Sequence, residues 1–147
     1  MSDLNRPVER YATMARSARP KPATILIVEN EAIVRLELAV SLADLGFIVL
    51  EAEDADCAIA LLETHRDISI LVTDIMMPGS MDGVRLAHHV RGRWPPVKIM
   101  VLSGLIDTQL SELPADSVFV PKPYDVRELC PALAQMAGEA RSHALSR

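Results

Sequence analysis

The sequence has few cysteines and no long apolar run. Its two cysteines, Cys57 and Cys130, lack the spacing of a metal site, and both fall in apolar helical patterns where buried, reduced thiols are common. No stretch approaches the roughly 18 consecutive apolar residues that a membrane span requires. The opening segment also lacks the apolar core of a secretory signal. These absences argue against a cysteine-bound metal, a membrane protein and a secreted protein, and they predict a cytoplasmic location.

An excess of basic residues is also missing. The 147 residues carry a net charge of −5, which gives no general affinity for nucleic acid, because phosphates require clustered lysine and arginine. Residues 1–22 depart from this balance, since five basic side chains stand there against Asp3 and Glu9. An acidic partner or a lipid surface could bind such a segment, but a solvated, flexible N-terminal arm is the preferred interpretation. We therefore predict neither nucleic acid nor membrane as a partner.

Apolar runs alternate with helical patterns along the rest of the chain, which is long enough for one domain but not for a second. Runs of this kind are typical of strands buried on both faces. Their alternation with helices predicts an α/β domain, a doubly wound parallel sheet in three layers, over residues 23–137. A short helix at most is expected within 104–116, and a disordered tail over 138–147. The predicted strands are 24–28, 47–50, 68–72, 97–102 and 118–120.

Polar side chains follow four of the five predicted strands. Parallel strands bring their carboxyl ends to one edge of the sheet, and ligands of such folds bind at that edge. Any one of these residues could end a strand simply because loops are wet, but their joint placement predicts a site that handles phosphate. The residues are Glu29, Asn30, Asp74, Ser103 and Lys122.

Four segments carry a more specific pattern. They read ILIVENE over 25–31, DIMMPGSMDG over 74–83, VLSG over 101–104 and VPKPY over 120–124. Together, in this order and spacing, they resemble the signature segments of receiver domains from bacterial two-component response regulators, of the stand-alone, single-domain type. The resemblance covers about residues 23–137. It implies a flavodoxin-like (βα)5 fold with strand order 2-1-3-4-5.

The resemblance implies an aspartyl-phosphate chemistry. Asp74 matches the phosphoacceptor, a carboxylate that attacks phosphorus while a divalent cation neutralises the gathering charge. The cofactor implied is Mg²⁺, with Glu29, Asn30, Asp74 and the backbone carbonyl of Met76 around it. No conventional enzyme is expected beyond self-phosphorylation from phosphodonors and slow autodephosphorylation.

The remaining matches belong to a switch. Lys122 would place a positive charge, and Ser103 a hydroxyl, on the phosphoryl oxygens. Phe119 occupies the position of the switch aromatic, whose movement would change the face formed by helix four, strand five and helix five. The peptide between Lys122 and Pro123 is cis in the family, which an X-Pro bond permits. The partners implied are a histidine kinase or histidine phosphotransfer protein and a downstream protein target, with a homodimer left open.

Three departures keep other functions open. Asn30 stands where the family has a second acidic metal ligand, the loop after Asp74 is one residue longer, and the segment from Ser103 to Lys122 is short. A pseudo-receiver, a protein-binding module with weak or no metal-dependent phosphorylation, is therefore the alternative hypothesis. A phosphohydrolase with an aspartyl nucleophile is disfavoured, because Met76 stands where that class places its general acid.

Overall fold

Five parallel strands and four α-helices alternate along the described part of the chain. The computed structural model describes residues 21–104 and 110–145. The strands are β1 (Thr24–Val28), β2 (Ile48–Ala52), β3 (Ile68–Asp74), β4 (Lys98–Ser103) and β5 (Val118–Pro121). The helices are α1 (Ala32–Asp44), α2 (Ala55–Thr64), α3 (Gly83–Arg93) and α4 (Val126–Leu145), with a short 3-10 helix at Leu110–Glu112.

The strand order is β2-β1-β3-β4-β5, with every neighbouring pair parallel. This confirms the flavodoxin-like α/β fold and its predicted order. The apolar runs form the central strands because helices cover both faces of the sheet, so every residue of β1 is buried. Helices α2 and α3 pack on one face, and α1 and α4 on the other. The sheet therefore holds all strand ends in one rigid frame.

Local signals in the sequence set several helix ends. The Asp54 carboxylate accepts a hydrogen bond from the backbone N–H of Cys57 at 2.8 Å, which caps α2. The Asp82 carboxylate caps α3 in the same way, accepting from Arg85 at 2.9 Å. Gly46, with a φ of 101°, adopts the left-handed conformation expected just after α1.

The structure corrects two expectations. Helix α4 continues to Leu145, so the predicted disordered tail is wrong for 138–145, while 146–147 lie outside the described residues. Cys57 is exposed rather than buried, because it lies on the outer side of the first turn of α2. Within 104–116 the described residues include the short 3-10 helix, which agrees with the expected short helix. Residues 105–109, like the N-terminal residues 1–20, lie outside the described part. In the described ranges no helix combines the length and apolarity of a bilayer span.

Candidate functional site

Three polar side chains meet where β1, β3 and β5 end. The ammonium Nζ of Lys122 donates a hydrogen bond to Oδ2 of Asp74 at 2.8 Å. The same nitrogen lies 3.9 Å from Oε1 of Glu29. Asp74 is the last residue of β3, and Glu29 and Lys122 follow β1 and β5 directly. The parallel sheet thus assembles a carboxylate pair around one cation from residues far apart in sequence.

Burial and neighbouring charges shift the pKa values of side chains in this cluster. Glu29 is only 5% exposed, and the side chains of Asp74 and Lys122 are 13% and 33% exposed. Burial and then the negative charge of Asp74 raise the pKa of Glu29, although Lys122 partly opposes them. Burial tends to lower the pKa of Lys122, but the hydrogen bond and charge of Asp74 outweigh it and the pKa is raised. The single ammonium group of Lys122 therefore faces two carboxylates, so the three side chains together carry a net negative charge when all are ionised.

The other sequence-predicted residues surround this cluster at different depths. Ser103 ends β4 and is buried, and its carbonyl accepts a hydrogen bond from the backbone N–H of Lys122 at 2.9 Å. The Met76 side chain is exposed, and its N–H lies 3.4 Å from Oδ1 of Asp74. Asn30 is exposed beside Glu29. Phe119 lies partly exposed on β5, an edge strand.

The peptide between Lys122 and Pro123 is cis. Beyond it, the half-buried Tyr124 lines an open cleft of about 440 Å³ together with Glu29, Lys122 and Glu31. This cleft gives a ligand access to Glu29 and Lys122 from the solvent. The carboxyl edge of the sheet thus offers both charged groups and room beside them.

Comparison with known proteins places this arrangement in a family. The model of the response regulator receiver domain matches residues 25–134. This chain belongs to the response regulator receiver family. It is therefore a receiver domain of two-component signal transduction.

Individual relatives agree with this membership. Sensor kinase CckA of Brucella abortus is 33% identical over 118 residues, which are 78% of this chain but only 12% of CckA. Response regulator receiver protein CpdR of the same organism is 31% identical over 115 residues, or 76% of this chain and 94% of CpdR. The crystal structure of a response regulator receiver protein from Sinorhizobium medicae has a TM-score of 0.75 at 30% identity, covering 82% of this chain and 98% of that one.

Sequence reasoning missed one residue that shapes the receiver site. A Cβ atom added to Gly83 would lie 2.0 Å from the backbone oxygen of Asp74 and 2.7 Å from Cα of Ile75. The N–H of Gly83 also donates to the carbonyl of Ile75 at 2.8 Å. The start of α3 is therefore pressed against the backbone that carries Asp74, and only glycine fits there. The Asp82-Gly83 pair at the start of α3 was visible in the sequence. The contact of Gly83 with the end of β3 was not, because local sequence patterns do not show which separate elements touch.

Two further contacts hold the loops around the site. A guanidinium nitrogen of Arg35, in α1, donates to the carbonyl of Glu29 at 2.8 Å, and its Nε lies 3.4 Å from the Glu51 carboxylate on β2. The Ser80 hydroxyl donates to the Asp56 carboxylate at 2.6 Å, which ties the longer loop after Asp74 to the first turn of α2. Both loops that border the carboxylate pair are thus anchored to neighbouring helices or strands.

The donor set of the receiver site fits a hard divalent cation. Carboxylate, amide and carbonyl oxygens are the ligands that Mg²⁺ prefers, and Glu29, Asp74 and Asn30 supply the first two kinds at this edge. The raised pKa of Glu29 arises from burial and from a facing carboxylate. A bound cation would favour the charged forms of both carboxylates and so oppose this rise. The residues present are therefore compatible with the implied metal.

The burial of Glu29 beside the Asp74 carboxylate predicts how Glu29→Gln changes the stability of the protein. A carboxyl whose pKa is raised in the folded protein costs stability above that pKa, and the cost disappears as the pH falls below the unfolded value. Without Mg²⁺ at pH 7, the free energy of unfolding of the variant should therefore be higher than that of the wild type, by about 1 kcal/mol. It should also lose most of the stabilisation that added Mg²⁺ gives the wild type. Urea unfolding with and without Mg²⁺ measures both effects.

Glu37→Gln, on the exposed face of α1, is the matched control and should change neither quantity. If Glu29→Gln responded to Mg²⁺ as strongly as the wild type, Glu29 would have no part in binding the metal.

Proposed function

We propose that this receiver is a phosphorylation-driven switch that takes a phosphoryl group onto Asp74, from a histidine kinase or histidine phosphotransfer protein, with Mg²⁺ as cofactor. The observation that carries the proposal is the hydrogen bond of 2.8 Å between Lys122 and Asp74, with Glu29 at 3.9 Å from the same ammonium. A nucleophilic carboxylate, a cation and a second metal-type carboxylate thus lie together at the carboxyl edge of the sheet.

The geometry suits a direct displacement at phosphorus. A carboxylate oxygen of Asp74 forms the new bond to phosphorus, and the donor's phosphorus–nitrogen bond breaks with its electron pair leaving on the histidine. Lys122, already at hydrogen-bond distance from Oδ2, neutralises charge on the carboxylate and then on a phosphoryl oxygen. When bound, Mg²⁺ supplies further positive charge, and Glu29, Asn30, Asp74 and the carbonyl of Met76 are the groups that would hold it.

Ser103 and Phe119, the two remaining residues that match the family's motifs, would form the switch. Ser103, buried at the end of β4 and joined to Lys122 through the backbone, would donate its hydroxyl to the phosphoryl group. Phe119 would follow the movement on the exposed edge of the sheet. The change on that edge is what a downstream protein would detect. The cytoplasmic location and a homodimer remain predictions.

Labelling with a small phosphodonor tests the proposal against the pseudo-receiver alternative. We expect acetyl phosphate to add one acid-stable, base-labile phosphoryl group when Mg²⁺ is present and none in EDTA, measured by intact-protein mass spectrometry. A chain that stays unlabelled even at high Mg²⁺ would be a pseudo-receiver. Asn30 favours that outcome, because its amide carries one negative charge less than the acid it replaces.

The surface beside the site supports a protein as the phosphoryl donor. Helix α1 starts just after Glu29 and Asn30, and Ile33, Leu36 and Val40 on its outer side are 74%, 57% and 51% exposed. These positions share one face of the helix, opposite the buried Leu38, Ala39 and Leu42. An uncovered apolar stripe of this kind marks a protein contact.

Replacing Ile33, Leu36 and Val40 of this stripe with serine should affect phosphoryl transfer from a protein donor but not from a small-molecule donor. We expect phosphoryl transfer from a histidine kinase to slow by about tenfold or more, because apolar docking contacts are lost. Labelling by acetyl phosphate, which needs no docking surface, should stay unchanged. Initial rates with the kinase that labels the wild type fastest, chosen from a purified panel, give the comparison.

Ile48→Ser, at an exposed apolar position on β2, controls for a general loss of surface hydrophobicity. Equal slowing in this control, or normal transfer to the triple variant, would rule out α1 as the docking face.

A further inference from the structure

Helix α3 presents a basic face that the proposed phosphorylation chemistry does not use. Its sequence, GVRLAHHVRGR, contains no acidic residue, although the whole chain carries a net charge of −5. Four of its basic side chains are exposed and recur at helical spacing along the outer side. The outer side of α3 therefore carries two exposed arginines and two exposed histidines, with no acid on the same helix. The four are Arg85, His88, His89 and Arg93.

The basic face ends at a cleft on the amino edge of the sheet, at the opposite end from Asp74. The cleft has a volume of about 380 Å³ and lies between the end of α2, the start of β3 and the end of α3. Leu62, Ile68 and Val97 give it an apolar floor, and all three belong to the buried core. This volume is within the range of clefts that hold a side chain or small ligand.

Cations and one aromatic ring form the rim of this cleft. Arg66, Arg93 and His65 line it together with Trp94, and Glu63 is the one acid among the lining residues. The guanidinium carbon of Arg93 lies 5.4 Å from the centre of the Trp94 ring, which orients the ring at the edge of the cleft.

Three arginines of this surface form no ion pair with the described residues. Throughout 21–104 and 110–145, no carboxylate lies within salt-bridge distance of Arg66, Arg85 or Arg93. The protein's other described ion pairs show that acids are placed beside basic groups elsewhere, as Glu51 is beside Arg35. An unneutralised basic face with an apolar floor beside it is complementary to a ligand that is both acidic and apolar.

We propose that the outer face of α3 and the cleft at Trp94 bind an acidic segment of a partner protein, with an apolar side chain of that segment seated in the cleft. The exposed arginines attract the acidic residues, and the floor of Leu62, Ile68 and Val97 receives the anchor. A nucleic acid fits less well, because the apolar floor of the cleft offers nothing to phosphates.

The chain contains its own reporter for this surface, because Trp94 is its only tryptophan. The probe is a synthetic glutamate-rich peptide with one central phenylalanine, titrated into the whole unlabelled protein while Trp94 emission is recorded. We expect a saturable change in emission that weakens as salt is added. The same peptide with alanine in place of phenylalanine should bind about tenfold more weakly, because the anchor is lost.

Charge reversal tests the arginines. The double variant Arg66→Glu and Arg93→Glu should bind the peptide at least about tenfold more weakly. Arg127→Glu is the matched control, because Arg127 is also exposed but is already paired with Asp125 beyond β5. It should bind as the wild type does. An unchanged circular dichroism spectrum of each variant would show that its fold is intact.

Three results would overturn the proposal. They are no change in Trp94 emission with the phenylalanine peptide, equal weakening in Arg127→Glu, and tighter binding of a single-stranded oligonucleotide than of the peptide, which would make the ligand a nucleic acid. The site lies away from Asp74, so Asp74→Asn should bind the peptide with unchanged affinity. The proposal therefore stands or falls independently of the phosphorylation chemistry.

Discussion

Asp74→Asn should abolish phosphoryl labelling by acetyl phosphate and by kinases, with the fold retained. The amide cannot act as the nucleophile, and we expect labelling to fall by more than about a hundredfold. The substitution is nearly isosteric, and it removes a charge that raises the pKa of Glu29, so the loss of the Lys122 contact is partly offset. Intact-protein mass spectrometry measures the label, and circular dichroism and thermal unfolding measure the fold.

Asp44→Asn, at the exposed end of α1, serves as the control for a single Asp-to-Asn change and should label normally. Persistent labelling of Asp74→Asn would mean that another side chain accepts the phosphoryl group. Peptide mapping of the labelled variant would then identify it, and the assignment of Asp74 would be wrong.

Gly83→Ala should both destabilise the domain and disturb Asp74. The added Cβ would stand 2.0 Å from the backbone oxygen of Asp74, far inside van der Waals contact, so the strand end or the start of α3 must move. Overpacking against backbone costs about 1–3 kcal/mol, and a domain of this size would lose roughly 10 °C in Tm. Because the displaced backbone carries the nucleophile, labelling by acetyl phosphate should also slow under conditions where the variant is folded.

Gly92→Ala offers a control within the same helix. Nothing lies within 4 Å of a Cβ at Gly92, which is exposed near the end of α3. Alanine loses less conformational freedom than glycine on folding, so this variant should be more stable by about 0.5–1 kcal/mol and should label normally. If Gly83→Ala behaved like Gly92→Ala, the close approach of α3 to Asp74 would be refuted.

Most of the fold could be predicted because its signals are local. The continuous apolar run of β1 is buried on both faces, and the cap of α2 and the turn after α1 depend on Asp54 and Gly46 alone. The end of α4 could not be predicted. Gly138 is a common stop signal, but one glycine costs only about 1 kcal/mol in a helix. The ion pair of 3.5 Å between Glu139 and Lys98 on β4 favours continuation past it.

Some features of the candidate site could likewise be predicted from local sequence patterns, and others could not. That polar residues follow the strands is readable from the sequence, because the ends of parallel strands share an edge. The distance of 2.8 Å between Lys122 and Asp74 joins residues 48 apart, and no local pattern carries it. The same holds for Gly83 against Asp74, for the raised pKa of Glu29, and for the exposure of Ile33 on α1.

By itself, then, the sequence determined the order of strands and helices, the family and the residues that gather at one edge, because periodicity, capping and motif spacing act over a few residues. Only the tertiary structure decided which of those residues touch, which apolar and basic faces stay uncovered, and how burial shifts the charges. Those properties depend on contacts between distant segments, which exist only once the sheet and helices have packed.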